Sequence, residues 1–134
     1  SLDHIRQRVI EYYSKLDPGE EGRGCVPPPS TEYTPAETAC NLPEKRFPVR
    51  SEKWHAKPWP ALQVQPQRLS RHYSYLIESS GTGRNTRIML IAVGDLDCDE
   101  QMATIRVVLR PNPRIGRREC QLDDGTWEII NPLE

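Results

Sequence analysis

The residues best placed for chemistry lie in one short acidic stretch, Gly94-Asp95-Leu96-Asp97-Cys98-Asp99. Alternate carboxylates in a turn converge on one point, and a hard cation such as calcium takes several oxygen ligands at short range. Asp95, Asp97 and Asp99 are therefore the candidate metal ligands, and calcium is the one cofactor the sequence offers. The stretch matches the start of an EF-hand loop and then departs from it. Glu100 stands at the sixth position, where Gly makes the turn, and Arg106 stands at the twelfth, where a bidentate Glu closes the site. A competing reading needs no ion, because Asp populates turns by hydrogen-bonding its own backbone.

Cysteine is the second chemistry-bearing type. Cys25, Cys40, Cys98 and Cys120 contain no CxxC pair and have no His spacing of a zinc finger. An even number in a small Pro-rich chain reads as a disulfide framework and an oxidising compartment. Four cysteines allow three connectivities. The nearest-neighbour one, Cys25 with Cys40 and Cys98 with Cys120, closes two modest loops without crossing the chain.

Nucleophilic catalysis finds no footing, since Ser79, Ser80, His4, His55 and His72 form no elbow or base-paired arrangement. The chain is expected not to be an enzyme, with no catalytic residues. Trp54 and Trp59 have two readings: rings tucked over a sheet with each N–H on a backbone carbonyl, or an aromatic platform for a sugar.

These residues need elements to hold them. Residues 2 to 16 place Leu2, Ile5, Val9, Tyr12, Tyr13 and Leu16 at steps of three and four, one apolar stripe on a helix of about four turns. Asp17-Pro18-Gly19 ends it. A helix this short is marginal alone in water, so its stripe must lie on another element. The surface for it is a hairpin over 87 to 109, in which two branched apolar runs, Ile88 to Val93 and Met102 to Leu109, flank the acidic loop.

An earlier strand falls within Leu69 to Ser79, where Tyr73, Tyr75 and Ile77 alternate with Ser74, Leu76 and Glu78, before a Ser80-Gly81-Thr82-Gly83 turn. A later strand, Thr126 to Ile130, follows the turn Asp123-Asp124-Gly125. The expected fold is α+β: an N-terminal amphipathic helix packed on an antiparallel meander of about four strands. Ten of the thirteen prolines lie from Pro18 to Pro66, so residues 20 to 67 are expected to form a long irregular segment. Within it, Pro35 to Cys40 reads as one helical turn with Thr34 as N-cap.

At 134 residues the chain reads as one domain, and a formal net charge of -1 argues against a nucleic-acid partner. No apolar run approaches the length of a membrane span. With no initiating Met and a helix that starts at once, the chain reads as an ectodomain cut from a longer protein.

The helix, the Pro-rich loop, Trp59-Pro60-x-Leu62, Tyr73-Ser74-Tyr75 and the strand ending in Ala92-Val93-Gly94-Asp95-Leu96-Asp97-Cys98-Asp99 together resemble type IV pilins and pilin-like proteins of Gram-negative bacteria. The likeness spans residues 2 to 110. It departs from the family's GDLDGDG loop at Cys98 and Glu100, and in a basic, Cys-containing tail after Arg110. The resemblance implies a single pilin-like globular domain and an apolar half-helix, upstream of this sequence, that anchors the precursor in the inner membrane and later packs in a filament core. It implies self-assembly with pilin subunits into an extracellular type IV pilus, in adhesion or motility, or a type II secretion pseudopilus. The family also implies a disulfide-bounded C-terminal region, a part that Cys98 to Cys120 would play. The alternative function is a periplasmic or secreted binding or adhesion module.

Overall fold

The structure is a computed structural model that describes residues 2–20, 23–35, 39–42, 44, 46–47, 52–95, 98, 102–112 and 120–130. Helix α1 spans Leu2–Ser14. Its apolar stripe is buried at Leu2, Ile5, Val9 and Tyr13, while Tyr12 and Leu16 sit half-buried at the margin of the core. Its outer side is laced by Asp3–Arg6, Arg8–Glu11 and Glu11–Lys15 pairs at helical spacings. The helix stops two residues short of the expected end. The Lys15 and Leu16 amides bond three residues back, to the Tyr12 and Tyr13 carbonyls, tightening the last turn ahead of Pro18.

Four strands follow in simple order: β1 Ser74–Ser80, β2 Arg87–Gly94, β3 Ala103–Leu109 and β4 Thr126–Ile130. All three pairings are antiparallel, and the sheet order is β1-β2-β3-β4. This is the expected helix on a four-strand meander. The register sets Tyr75 beside Ala92 and Ile77 beside Leu90. It then sets Leu90 beside Val107 and Ile88 beside Leu109. With a side-chain period of two, these residues form one continuous apolar face. Helix α1 lies chiefly over β2 and β3, and the core fills the space between.

The expected first strand began too early. Residues 69 to 73 precede the ladder, and His72 is an exposed turn residue. Leu69 is nonetheless buried in the core. Gly94 ends β2 where a side chain has no room: a Cβ there would stand 2.7 Å from the His72 carbonyl oxygen and 2.9 Å from the Tyr73 ring. Gly125 opens β4 at φ +94 and packs directly on the Val107 and Leu109 side chains.

The irregular segment is tied down at several points. Ser30, Thr31 and Thr34 run along the outer edge of β1. Thr34 exchanges both backbone bonds with Tyr75, and the Thr31 amide bonds the Ile77 carbonyl. The Thr31 and Ser30 hydroxyls accept from the Ile77 and Ser79 amides. Thr34 is thus a strand partner; residues 36 to 38 of the helical turn expected after it lie outside the described residues. A one-turn helix α2, Trp59–Leu62, ends on Gln63 in the left-handed conformation.

Candidate functional site

The disulfides join different partners from those expected. Cys25 bonds Cys120 and Cys40 bonds Cys98, with Cα separations of 5.3 and 5.8 Å. Nearest-neighbour pairing rests on loop length, a property of the unfolded chain. In the fold, the segment along the β1 edge brings Cys40 to the end of β2. The Cys25 backbone meets the β1–β2 turn, where the Gly83 amide donates to the Cys25 carbonyl at 3.0 Å. The bridges therefore fasten the irregular segment to the sheet at two places.

Of the three aspartates nominated as metal ligands, Asp97 and Asp99 lie outside the described residues, as does Glu100. Asp95 is half-buried, and its carbonyl accepts the Cys98 amide at 3.3 Å, closing a tight turn with Cys98 at φ 58. The same carbonyl oxygen lies 3.2 Å from Cys40 Sγ. That is a contact and not a hydrogen bond, because a disulfide sulfur carries no proton. Arg106 pairs with Glu128 across β3 and β4. Among the described residues no group of three or more His, Cys, Asp or Glu side chains is placed to hold a metal.

The tryptophans belong to the core. Trp54 and Trp59 are 8% and 1% exposed and meet edge to face at 4.9 Å between ring centres, and Trp54 leans on Tyr75 at 6.0 Å. Neither ring offers a stacking face to a sugar, so the platform reading fails at these residues. Trp59 Nε1 donates to Thr34 Oγ1 at 3.2 Å, a side-chain hydroxyl where a backbone carbonyl was expected.

The polar bonds of His4 and of the Tyr13 hydroxyl are not written in the sequence, which places Tyr13 only as part of the apolar stripe. His4 sits beside the apolar stripe, and its Nε2 accepts the Gln65 amide at 2.9 Å. Burial lowers its pKa below the ordinary 6.5, and the Arg68 and Arg8 charges add to this. Next to it, Arg8 Nε donates to the Leu62 carbonyl at 2.9 Å, so one flank of α1 is docked onto the α2 region by polar bonds. Tyr13 is fully buried, and its hydroxyl lies 3.1 Å from Thr86 Oγ1 and 3.3 Å from the Cys25 and Gly83 carbonyl oxygens. Burial raises its pKa.

The other flank of α1 is open. Every residue of β4 is exposed, with Trp127 at 44%, Ile129 at 57% and Ile130 at 40%. Trp127 and Ile129 stand opposite Val107 and Ile105, hence on the helix-facing side of the sheet, where both remain exposed beside α1. The Arg6 guanidinium approaches the Trp127 ring at 6.0 Å from its centre while bonding Asp3 Oδ1 at 2.7 Å and the Asp124 carbonyl at 3.3 Å. Trp127 and Ile129 thus present exposed apolar side chains on one face of an edge strand. No family model, curated protein or solved structure matches this chain.

Proposed function

We propose that this chain is a structural subunit of an extracellular filament, a type IV pilin or type II secretion pseudopilin, and not an enzyme. One observation carries the reading: an N-terminal amphipathic helix laid on a four-strand antiparallel meander, with the helix-to-sheet segment fastened by disulfides. In a filament of this kind, assembly is driven by an apolar half-helix upstream of the globular domain. The domain itself supplies lateral contacts. Its partners are further pilin subunits, with the membrane met only through that upstream helix, and the precursor resides in the inner membrane.

The test is the coding sequence upstream of residue 2. The reading expects a short basic leader, a Gly-type cleavage site and about 25 mostly apolar residues continuous with α1. An upstream sequence lacking that apolar segment sinks it. The competing binding or adhesion module would have to use a surface other than Trp54 and Trp59, which are buried.

A further inference from the structure

Which backbone groups of β4 face outward follows from the ladder. In an antiparallel sheet the N–H and C=O of one residue point to the same side, and sides alternate along the strand. On β1 the outward residues are Tyr75, Ile77 and Ser79, because these bond Thr34, Thr31 and Ser30. Ser74, Leu76, Glu78 and Ser80 therefore face β2. Carried through the register, Ile88, Leu90, Ala92 and Gly94 face β3, and Thr104, Arg106 and Val108 face β4. Their partners on β4 are Ile130, Glu128 and Thr126. Trp127 and Ile129 are left with both N–H and C=O at the outer edge, unpaired among the described residues.

Soluble proteins guard such an edge with Lys, Pro, a bulge or a covering segment. The opposite edge of this sheet is covered by residues 30 to 34. The β4 sequence Thr-Trp-Glu-Ile-Ile has no Lys or Pro, and its one charge, Glu128, is neutralised by Arg106. The strand is rich in β-forming residues, and the side chains flanking its free donors and acceptors are the exposed Trp127 and Ile129.

We infer that β4 pairs antiparallel with β4 of a second copy of this chain, about a two-fold axis at Glu128, extending the sheet across both molecules. The strands of this chain point to that occupant. Strands β2 and β3 are internal and the β1 edge is covered, so among described strands only β4 offers a second copy an open edge. With the axis at Glu128, Trp127 stands opposite Ile129 of the second copy and the converse, so all four outward groups of each strand are used in four hydrogen bonds. Two Trp–Ile cross-strand pairs then cover the apolar side chains that α1 leaves open. On the other face the row across both copies reads Arg106, Glu128, Glu128, Arg106. Its charges sum to zero, so the like-charged centre is flanked by its own counter-charges. An isologous contact of this kind closes on itself. The inference concerns the globular domain and does not depend on the filament reading.

Sedimentation of the oxidised 134-residue chain over a rising concentration series tests it, with amide hydrogen exchange as the second readout. The expected result is a mass rising from 15.4 kDa toward twice that value. The Trp127 and Ile129 amides gain protection in step with association, while the Glu128 amide, bonded to β3, is protected throughout. Ile129→Pro removes a donor that the β3–β4 ladder does not use, so the fold and its melting temperature persist. The two-fold doubles the change, and the loss of two hydrogen bonds weakens association about thirtyfold, equivalent to about 2 kcal/mol. Trp127→Lys places a gatekeeper charge at the edge and has the same direction of effect. A chain that stays monomeric at millimolar concentration overturns the inference. So does undiminished association of folded Ile129→Pro and Trp127→Lys, or protection of the Trp127 and Ile129 amides in the dilute monomer.

Discussion

The Tyr13 hydroxyl joins three parts of the chain, and removing it tests how the helix is held. In Tyr13→Phe the Cys25 carbonyl keeps the Gly83 amide as donor at 3.0 Å, and the Gly83 carbonyl keeps the Thr86 amide at 3.3 Å. Thr86 Oγ1, only 2% exposed, loses the phenol 3.1 Å away. One net hydrogen bond at about 1 kcal/mol plus an orphaned buried hydroxyl at about 1 to 2 kcal/mol gives a loss of about 2 to 3 kcal/mol. For a chain of 134 residues, at about 2.1 cal/mol/K per residue, that lowers the melting temperature by about 7 to 11 °C. Thr86→Val leaves the phenol its two carbonyls and costs about 1 kcal/mol. The double variant has no orphaned group, so its loss falls short of the sum by about 1 to 2 kcal/mol. Urea unfolding of the four oxidised proteins measures the cycle. A Tyr13→Phe loss under about 0.5 kcal/mol, or strict additivity in the double variant, refutes the reasoning.

Two further outcomes rest on the same frame. Taken as the sole bridge, Cys25–Cys120, whose partners are 95 residues apart, is worth about 4.7 kcal/mol of loop-closure entropy and Cys40–Cys98, 58 apart, about 4.2 kcal/mol; because the rings are nested, removing either with the other intact costs less, in the same order. Paired Cys→Ser variants measured by thermal unfolding should therefore rank in that order, and recovery of a Cys25–Cys40 peptide from an unreduced digest contradicts the pairing. His4 is neutral in the fold with its pKa lowered by burial, so the unfolded chain binds the extra proton first. Its contribution is complete above about pH 6.5 and declines as pH falls below that value toward the folded pKa. The urea midpoint of the native chain should drop more between pH 7.5 and pH 5 than that of His4→Gln, and parallel pH profiles contradict the assignment.

The parts of the fold legible from sequence were those written in periodicity. The three-and-four spacing of Leu2, Ile5, Val9 and Tyr13 marks the helix, and the branched runs flanking the acidic turn mark β2 and β3. Asp123-Asp124-Gly125 marks the start of β4 because Gly125 takes the positive φ that turn requires. The edge-covering segment left no such mark, since its bonds to β1 are made by Thr34 and Thr31 backbone and by hydroxyls that carry no pattern. The cysteine pairing was missed for a related reason. Loop length weighs the unfolded chain, whereas Cys40 and Cys98 are brought together by a register that only the folded sheet defines. His4 enters the sequence reading only as a histidine with no nucleophile to serve, because its partner, the Gln65 amide, lies 61 positions away. The exposure of the apolar residues of β4 is not written in the sequence either, because it depends on how far the helix covers the sheet.

The two disulfides form nested rings, the inner one closed by Cys40 and Cys98 and the outer one by Cys25 and Cys120. Any single backbone cut between residues 25 and 120 therefore leaves one covalent body. The arginines at 114, 117 and 118 lie inside the outer ring and outside the inner one. A trypsin-like protease cutting once there frees no fragment: the piece carrying β4 stays bound through Cys120 to Cys25, whose carbonyl lies beside the Tyr13 hydroxyl, and the cut becomes visible only after reduction.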